Sequence, residues 1–257
     1  MDNEASGTHA SLRVCRPGWD PVALQREAHW LESLAQGTDL RVPIPIWTSS
    51  GDCICLARID EVPEQRACVL FDWVSGRQVS PEELTTPRLQ DVGRFLATMH
   101  DHAEINRLEE SLCLEPFNAA ALEASDHREN LRTFYDDEAA LRAFDRAVNA
   151  TVEQMRALGE GPSVAGIIHG DFHQRNYVFD GDSVGALDFE TILWGYYLYD
   201  LATTLSYLVP TFLRGKDAEP CREAVLEGYA EVRGLPTGFE DLLVSSRPTE
   251  YGSWQTG

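Results

Sequence analysis

The segment 169–190 holds most of the side chains whose types and spacing could do chemistry. Asp171 and Asn176 lie in a polar loop after an apolar stretch, and Asp188 follows a hairpin pattern. A carboxylate such as Asp171 suits the orientation of an attacking hydroxyl group and the acceptance of its proton. Asn176 and Asp188 offer hard oxygen atoms, which Mg²⁺ prefers. The spacing predicts phosphoryl transfer, with Asp171 as the catalytic residue and Asn176 and Asp188 as metal ligands.

Two short elements must position these groups. Gly166 to Ile168 is predicted to be a buried strand that ends where the loop begins. Residues 177–179 and 184–187 are predicted to form a hairpin around the turn at Asp180 and Gly181. That hairpin would return Asp188 to the loop that carries Asp171.

The predicted secondary structure of the rest of the chain changes near residue 81. Strands and one helix are predicted before it, and mainly helices after it. A helix should start at Pro21 behind an Asp20 cap and stop near Gly37, with Val22 on its apolar face. The strands are predicted over 12–15, 54–59 and 67–73, with an extended stretch over 42–47 and a linker over 74–81. The later helices are predicted over 87–103, 137–158 with Phe144 on its apolar face, 198–209, 218–232 and part of 111–136.

The acidic motifs resemble those of a known family. His169-Gly170-Asp171 with Asn176 resembles the catalytic loop of aminoglycoside phosphotransferases and choline kinases, and Asp188-Phe189-Glu190 is similar to their metal-binding segment. The resemblance covers residues 11–210 and extends to a bacterial branch of homoserine-kinase-like and stress-response kinases. It implies an α+β, protein-kinase-like fold with a small antiparallel sheet lobe and a larger helical lobe. It also implies Mg²⁺-dependent transfer of the γ-phosphate of ATP or GTP to a hydroxyl of a small molecule.

The same resemblance assigns roles near the start of the chain. Arg13 resembles the strand cation that faces nucleotide phosphates, and Glu27 resembles the helix acid that pairs with it. The alternative is an Arg at a strand edge and a Glu on a helix surface. Lys is usual at this position in the family. The planar guanidinium group of Arg can instead bind a phosphate group through two hydrogen bonds.

Two further positions carry implied roles. Phe71 and Trp73 lie in the stretch 70–74 which, with Gly76, resembles the hinge between the lobes, where backbone groups meet the nucleotide base. Asp200 resembles the aspartate that caps a helix and braces the catalytic loop.

The two histidines of the loop are candidate catalytic residues with open alternatives. His169 is either a general base or a structural residue that holds the loop through backbone hydrogen bonds, and the structural role is preferred. His173 lies where protein kinases carry a Lys that touches the transferred phosphate, and it either does likewise or is structural.

The resemblance also predicts an incomplete nucleotide-binding lobe. The family has two strands and a phosphate-covering loop before the strand placed at 12–15, and only eleven residues precede it here. We expect a nucleotide-binding lobe over 1–75, truncated at its start, and a helical catalytic lobe over 76–257.

Composition narrows the partners and the compartment. The net charge of −21 should repel nucleic acid and anionic membrane surfaces. No signal peptide opens the chain and no apolar run is long enough to span a bilayer, which predicts a cytoplasmic protein.

The six cysteines are expected to be free and mostly buried, because Cys53 and Cys55 lack the spacing of a zinc knuckle. His100, Asp101 and His102 are expected to end a helix, because adjacent side chains on a helix diverge and suit a shared metal poorly.

Three functions remain in competition. The first is the kinase, and the second is a pseudokinase-like binding module that lacks the phosphate-covering loop. The third is a metal-dependent hydrolase that uses the same acids. The sequence leaves the acceptor and the oligomeric state open.

Overall fold

A four-stranded antiparallel sheet forms the first part of this computed structural model, which describes residues 2–3, 8–58, 60, 63–109, 111–133, 137–208, 219–235 and 239. The strand order is β1-β2-β4-β3. The strands are β1 (Asp2–Asn3), β2 (Thr8–Val14), β3 (Ile54–Ala57) and β4 (Arg66–Asp72). The three predicted strands are confirmed with shifted ends, although residue 59 lies outside the described residues. The sequence did not predict β1, or that β2 begins at Thr8.

Helix α1 (Pro21–Gly37) packs against this sheet, as predicted. The Asp20 carboxylate caps the helix by accepting a hydrogen bond from the Val22 amide at 2.9 Å. The buried face of the helix consists of Leu24, Glu27, Ala28, Trp30, Leu31 and Leu34. Val22 is 49% exposed, so its placement on that face was wrong: it lies in the first turn and faces solvent.

The stretch from 41 to 47 is extended and continues the sheet. The Ile46 amide donates to the Leu70 carbonyl at 2.8 Å, and the Asp72 amide donates to the Ile44 carbonyl at 2.8 Å. The predicted extended entry is therefore confirmed.

The linker after β4 returns the chain to the helical part, where Arg77 and Phe179 exchange backbone hydrogen bonds of 3.0 and 2.9 Å. A domain boundary between residues 75 and 76 stays a prediction.

The rest of the chain is mainly helical. The helices are α2 (Thr86–Asn106), α3 (Ala119–Ala124), α4 (His127–Arg132), α5 (Glu138–Leu158), α6 (Tyr197–Tyr207) and α7 (Glu219–Val232). All the predicted helices are present, and residues 209 and 218 of the predictions lie outside the described residues. Phe144 of α5 is 38% exposed, so its predicted burial was wrong, whereas Leu141, Val148, Val152 and Met155 of the same helix are buried.

Helices α2 and α7 make the largest helix–helix contact, and two glycines allow their close approach. A Cβ on Gly93 would lie 2.0 Å from the Val225 carbonyl oxygen, and one on Gly228 would lie 1.9 Å from the Gln90 carbonyl oxygen. The backbones therefore touch where both side chains are absent.

His100, Asp101 and His102 lie in the last two turns of α2, which ends at Asn106, three residues beyond the predicted end. The side chains of both histidines contact residues of other helices. His100 lies 3.0 Å from the Tyr229 hydroxyl, and His102 lies 2.8 Å from the Ser33 hydroxyl.

Four short strands lie among the helices. Strand β5 (Ala165–Ile168) pairs with β8 (Leu193–Tyr196), and β6 (Tyr177–Asp180) forms a hairpin with β7 (Ser183–Ala186). The predicted strand before the loop and the predicted hairpin are confirmed. The sequence did not predict β8, because its aromatic residues run directly into α6 without a turn signal.

The cysteines are free, as predicted, but most of them are not buried. Cys15 and Cys53 are buried, Cys55 and Cys113 are exposed, and Cys68 and Cys221 are intermediate. Cys55 and Cys68 lie on β3 and β4 and face the open side of the sheet, whereas Cys113 lies in a turn and Cys221 lies on α7.

Candidate active site

The loop after β5 is held mainly by its backbone. Asp200, fully buried in the first turn of α6, accepts the His169 and Gly170 amides at 2.8 Å each. Thr191 donates its hydroxyl to the His169 carbonyl at 2.9 Å. Gly170 has φ +82°, and a Cβ there would lie 2.7 Å from the Thr191 carbonyl oxygen, so the turn requires glycine. The predicted brace by Asp200 is confirmed, but its side chain does not cap α6, which has no side-chain cap.

Asp171 and Asn176 are brought into direct contact by this loop. The Asn176 amide nitrogen donates to the Asp171 backbone oxygen at 2.8 Å and to its carboxylate Oδ2 at 3.1 Å. His173 Nε2 lies 3.4 Å from Asp171 Oδ1. Asp171 remains 39% exposed, so its carboxylate is both fixed and accessible.

His169 is fully buried and both of its ring nitrogens face backbone groups. Nδ1 accepts the Asp171 amide at 3.3 Å, which leaves Nε2 to donate to the Leu187 carbonyl at 3.0 Å. Burial lowers the pKa of His169 and favours the neutral ring that this pattern requires. The geometry is that of a residue that positions the loop, which is the role preferred from the sequence.

Asp188 lies just after the hairpin, in the left-handed region with φ +60° and ψ 62°. The Leu187 amide donates to the Asn176 carbonyl at 2.7 Å, so the hairpin returns this residue to the loop as expected. The Asp188 side chain is 49% exposed, and its Oδ1 lies 3.7 Å from Arg13 Nη2.

Arg13 and Glu27 form the ion pair that the sequence predicted. Arg13 Nη1 lies 2.9 and 2.6 Å from the two carboxylate oxygens of Glu27, which is 2% exposed. Burial raises the pKa of Glu27, and Arg13 opposes that rise. Burial alone would lower the pKa of Arg13, but the Glu27 carboxylate, together with the charges of Asp188 and Glu190, outweighs burial and the pKa is raised. One face of the guanidinium covers the Phe71 ring, with Cζ 5.1 Å from the ring centroid.

A cavity of about 380 Å³ lies between β4, the following linker and the hairpin. It is lined by Ser11, Arg13, Pro43, Phe71, Asp72, Trp73, Val74, Gly76, Arg77, Gln78, Val178, Leu187 and Asp188. The predicted base-binding residues Phe71 and Trp73 thus share one cavity with Arg13 and Asp188. The described residues that line the cavity do not include Asp171, Asn176 or His173. The hydrogen bond from the Leu187 amide to the Asn176 carbonyl connects the catalytic loop to the cavity lining.

Three features of the site were missed from the sequence. Glu190 lies close enough to Arg13 and Glu27 to affect the pKa of both. Tyr199 and Tyr207 of α6 are partly exposed, and the Tyr207 ring centroid lies 4.6 Å from that of His173. Glu190 was quoted only as part of a motif, and the two tyrosines gave no signal because their neighbours are distant in sequence.

A buried brace also lies behind the loop. His100 Nε2 is 3.3 Å from Asp200 Oδ2, and the His100 ring stacks on Tyr197 with centroids 4.6 Å apart. Tyr229 completes the set from α7. The paired histidines at 100 and 102 were the only available signal, and it was interpreted as a helix end.

Two absences in the described part of the chain bear on binding. Within it, no three His, Cys, Asp or Glu side chains gather in a way that could hold a metal ion. None of the helices described there is both long and apolar enough to cross a lipid bilayer.

Comparison with solved structures shows the fold. An amicoumacin kinase, solved in complex with AMP-PNP, Ca²⁺ and Ami, superposes with a TM-score of 0.76 at 15% identity, covering 95% of this chain and 72% of that one. A microcompartment-associated aminopropanol kinase gives 0.69 at 22% identity, covering 94% and 74%. A spectinomycin phosphotransferase with AMP gives 0.62 at 15% identity, covering 94% and 75%. The predicted α+β, protein-kinase-like fold is confirmed.

Sequence comparison shows the family. The amicoumacin kinase of Bacillus subtilis (strain 168) is 22% identical over 184 residues, which are 70% of this chain and 51% of that protein. A profile of the phosphotransferase enzyme family matches residues 3–236. This match spans the sheet, the loop that holds Asp171 and the helices around it, and the chain therefore belongs to the phosphotransferase enzyme family.

Proposed function

We propose that the protein is a Mg²⁺-dependent kinase that transfers the γ-phosphoryl group of ATP or GTP to a hydroxyl group of a small molecule. The observation that carries the proposal is the pairing of Asp171 with Asn176 on a braced loop, beside a hairpin that presents Asp188 to Arg13. This arrangement supplies a proton acceptor, hard oxygen ligands and a cation, which are the parts that phosphoryl transfer needs.

The cavity is assigned to the nucleotide. Its volume of about 380 Å³ is in the range of small-molecule sites. Phe71 and Trp73 would contact the base, and Arg13, held by Glu27, would face the phosphates. The relatives solved with AMP-PNP and AMP support a nucleotide as a ligand of this chain.

Asn176 and Asp188 fit a divalent metal ion. The Asn176 nitrogen is used by Asp171, which leaves its amide oxygen as a ligand, and half of the Asp188 side chain is accessible. Hard oxygen donors of this kind suit Mg²⁺, which takes few ligands from protein. When bound, the metal would offset the negative charge of the phosphates.

The chain's own residues would act on the acceptor. Asp171 would accept a hydrogen bond from the acceptor hydroxyl, orient its oxygen towards the γ-phosphorus atom and take its proton as the new P–O bond forms. The bond from the γ-phosphorus to the bridging oxygen would break in the same transfer, and the nucleoside diphosphate would leave. His173, beside Asp171, would contact the transferred group. His169 would position the loop without touching the substrate.

We place the acceptor beside the exposed face of Asp171, near Tyr199 and Tyr207, and the protein in the cytoplasm. The amicoumacin and spectinomycin kinases support an acceptor that is a small molecule, and free thiols fit a reducing compartment. Nucleic acid and membranes are not proposed as partners of so acidic a chain.

The test combines binding with turnover. Melting temperatures are measured with Mg²⁺ and ATP or GTP for the wild type, Asp188→Ala and the control Asp180→Ala, an exposed aspartate of the same hairpin. At a nucleotide concentration of 100 times Kd, binding should stabilise the fold by about 2.7 kcal/mol, and the Asp188 variant should lose this gain.

Transfer of labelled phosphate is then measured across a panel of hydroxyl compounds. Transfer that requires Asp171 supports the kinase. Binding without transfer would instead favour the pseudokinase-like module, and phosphate release without an acceptor would favour the hydrolase. An absence of any nucleotide-dependent stabilisation would overturn the proposal.

A further inference from the structure

Three cysteines line a cavity on the open face of the sheet, on the other side of β4 from the buried core. The cavity has a volume of about 350 Å³ and is lined by Leu12, Ile46, Trp47, Thr48, Cys53, Cys55, Cys68 and Leu70. None of these thiols belongs to the proposed kinase site.

Strand pairing places two of the thiols directly opposite one another. Cys55 of β3 is in register with Cys68 of β4 in the antiparallel ladder. Side chains of paired residues lie on the same face of a sheet. The even-numbered residues of β4 from 66 to 70 are partly accessible while the odd-numbered ones from 67 to 71 are buried, so this shared face is the open one.

The hydrogen bonds of β4 show which kind of pair this is. The Cys15 amide donates to the Ala67 carbonyl, so odd-numbered residues of β4 bond towards β2. Leu70 and Asp72 bond to the opposite neighbour, the extended stretch at 44–46. Cys68 therefore bonds towards β3, and Cys55 and Cys68 form a hydrogen-bonded pair, for which the Cα atoms lie about 5.5 Å apart. Disulfides span Cα separations of about 4.4–6.8 Å.

Cys53, the third thiol of the cavity, is less suited to disulfide formation. Cys53 is buried, and burial raises the pKa of its thiol, which reduces the thiolate that attacks a disulfide. It also lies before the first residue of β3, outside the paired register. Cys55 is exposed and Cys68 is intermediate, so an oxidant can reach the pair from solvent.

We propose that Cys55 and Cys68 are a reversible modification site that closes into a cross-strand disulfide on reaction with a small disulfide such as glutathione disulfide. The thiolate of one cysteine attacks the glutathione disulfide, forms a mixed disulfide and expels one glutathione thiolate, which takes up a proton. The other cysteine then attacks the protein sulfur of that mixed disulfide and expels the second glutathione. Two protein thiols are oxidised to one disulfide, and one glutathione disulfide is reduced to two glutathione molecules. The proposal does not depend on kinase activity.

The test treats the folded full chain with glutathione disulfide and reads the products by intact mass and by peptide mapping without reduction. The wild type should lose about 2 Da at this site, through a bridge between Cys55 and Cys68, and dithiothreitol should reverse it. Cys55→Ser and Cys68→Ser should each stop at a glutathione adduct on the cysteine that remains.

Two control variants define the site. Cys53→Ser and Cys113→Ser should both still form the bridge at the wild-type rate. A bridge that contains Cys53, or stable glutathione adducts on both Cys55 and Cys68 of the wild type, would overturn the proposal. Circular dichroism before oxidation establishes that each variant retains its fold, so the absence of the bridge from the wild type or from either control variant also overturns the proposal.

Discussion

Asp171 is fixed by Asn176 and remains open to solvent, so its charge can be removed with little effect on the fold. We expect Asp171→Asn to lower the transfer rate by about 10²–10⁴-fold, because an amide cannot take the acceptor's proton. The stabilisation by Mg²⁺ and nucleotide should be unchanged, because the proposed metal ligands Asn176 and Asp188 are intact. Steady-state kinetics and melting curves measure the two effects. Asp180→Asn, at an exposed position, is the control and should alter neither.

The Arg13–Glu27 pair invites a double-mutant test. Arg13→Met leaves the Glu27 carboxylate buried without its partner and should cost about 1–3 kcal/mol in urea unfolding. Adding Glu27→Leu should recover most of that loss, because replacing both partners of a buried pair by apolar groups is close to neutral. Neither variant should be stabilised by nucleotide. If the double variant is as unstable as Arg13→Met, the ion pair is not the source of the loss.

The sequence predicted the roles of residues whose contacts lie nearby in the chain or whose motif is distinctive. Asp171 and Asn176 are five positions apart in one loop, and their hydrogen bond follows from that spacing. His100 could not be predicted, because its partners come from α6 and α7 and only the fold brings them together. Glu190 was overlooked for the same reason: its proximity to Arg13 depends on how the sheet is placed against the hairpin.

At the scale of elements, α2, α6 and α7 meet around His100, and this makes their packing sensitive to acid. Burial lowers the pKa of His100 from its ordinary value of 6.5, against the opposing pull of Asp200; Arg233 adds to the lowering and Asp101 opposes it. The unfolded chain therefore binds a proton more readily than the folded one below about pH 6.5. The stability that the neutral ring provides is complete above that pH and is lost as the pH falls.

We therefore expect the difference in melting temperature between the wild type and His100→Asn to be largest above pH 6.5 and to shrink as the pH falls. The two proteins share all their other ionisable groups, so the difference between their melting temperatures cancels the pH dependence that those groups cause. What remains is the contribution of His100, because Asn does not titrate. Melting curves from pH 5 to 8 measure it. A difference that stays constant over this range would show that His100 does not titrate with unfolding.

The crossing of α2 and α7 gives an independent prediction about packing. Gly228→Ala places a methyl group 1.9 Å from the Gln90 backbone oxygen, which cannot rotate away as a side chain would. The helices must separate, and overpacking of this kind costs about 1–3 kcal/mol. Gly161→Ala is the control, since nothing lies within 4 Å of its added Cβ. Equal melting temperatures for the two variants would contradict the close approach.

Helices and the hairpin were easier to predict than β8. Amphipathic periodicity marked α2 and α5, and the Asp20 cap with Pro21 marked the start of α1. Strand β8 follows a short turn and passes into α6 through aromatic residues that suit either structure. Its assignment comes from pairing with β5, which is a long-range contact that local patterns do not encode.

At the scale of the whole molecule, charge is the dominant property that composition alone reveals. The chain has 42 acidic residues and 21 basic ones, so its carboxylates outnumber its basic side chains two to one. Arg13, Arg94 and Arg233 each contact two acids, which concentrates the available positive charge at tertiary contacts. The remaining carboxylates repel one another in the compact state.

This repulsion predicts how salt affects stability. Raising NaCl from about 10 mM to 200 mM shortens the Debye length from about 30 Å to below 10 Å and screens repulsion between distant carboxylates. Exposed ion pairs weaken at the same time, but each contributes only about 0–1 kcal/mol. The melting temperature should therefore rise with NaCl at pH 7.5, and the rise should be smaller at pH 5, where part of the carboxylate charge is neutralised. A melting temperature that falls with salt at pH 7.5 would mean that ion pairs such as Arg94–Glu231 outweigh the repulsion among unpaired carboxylates.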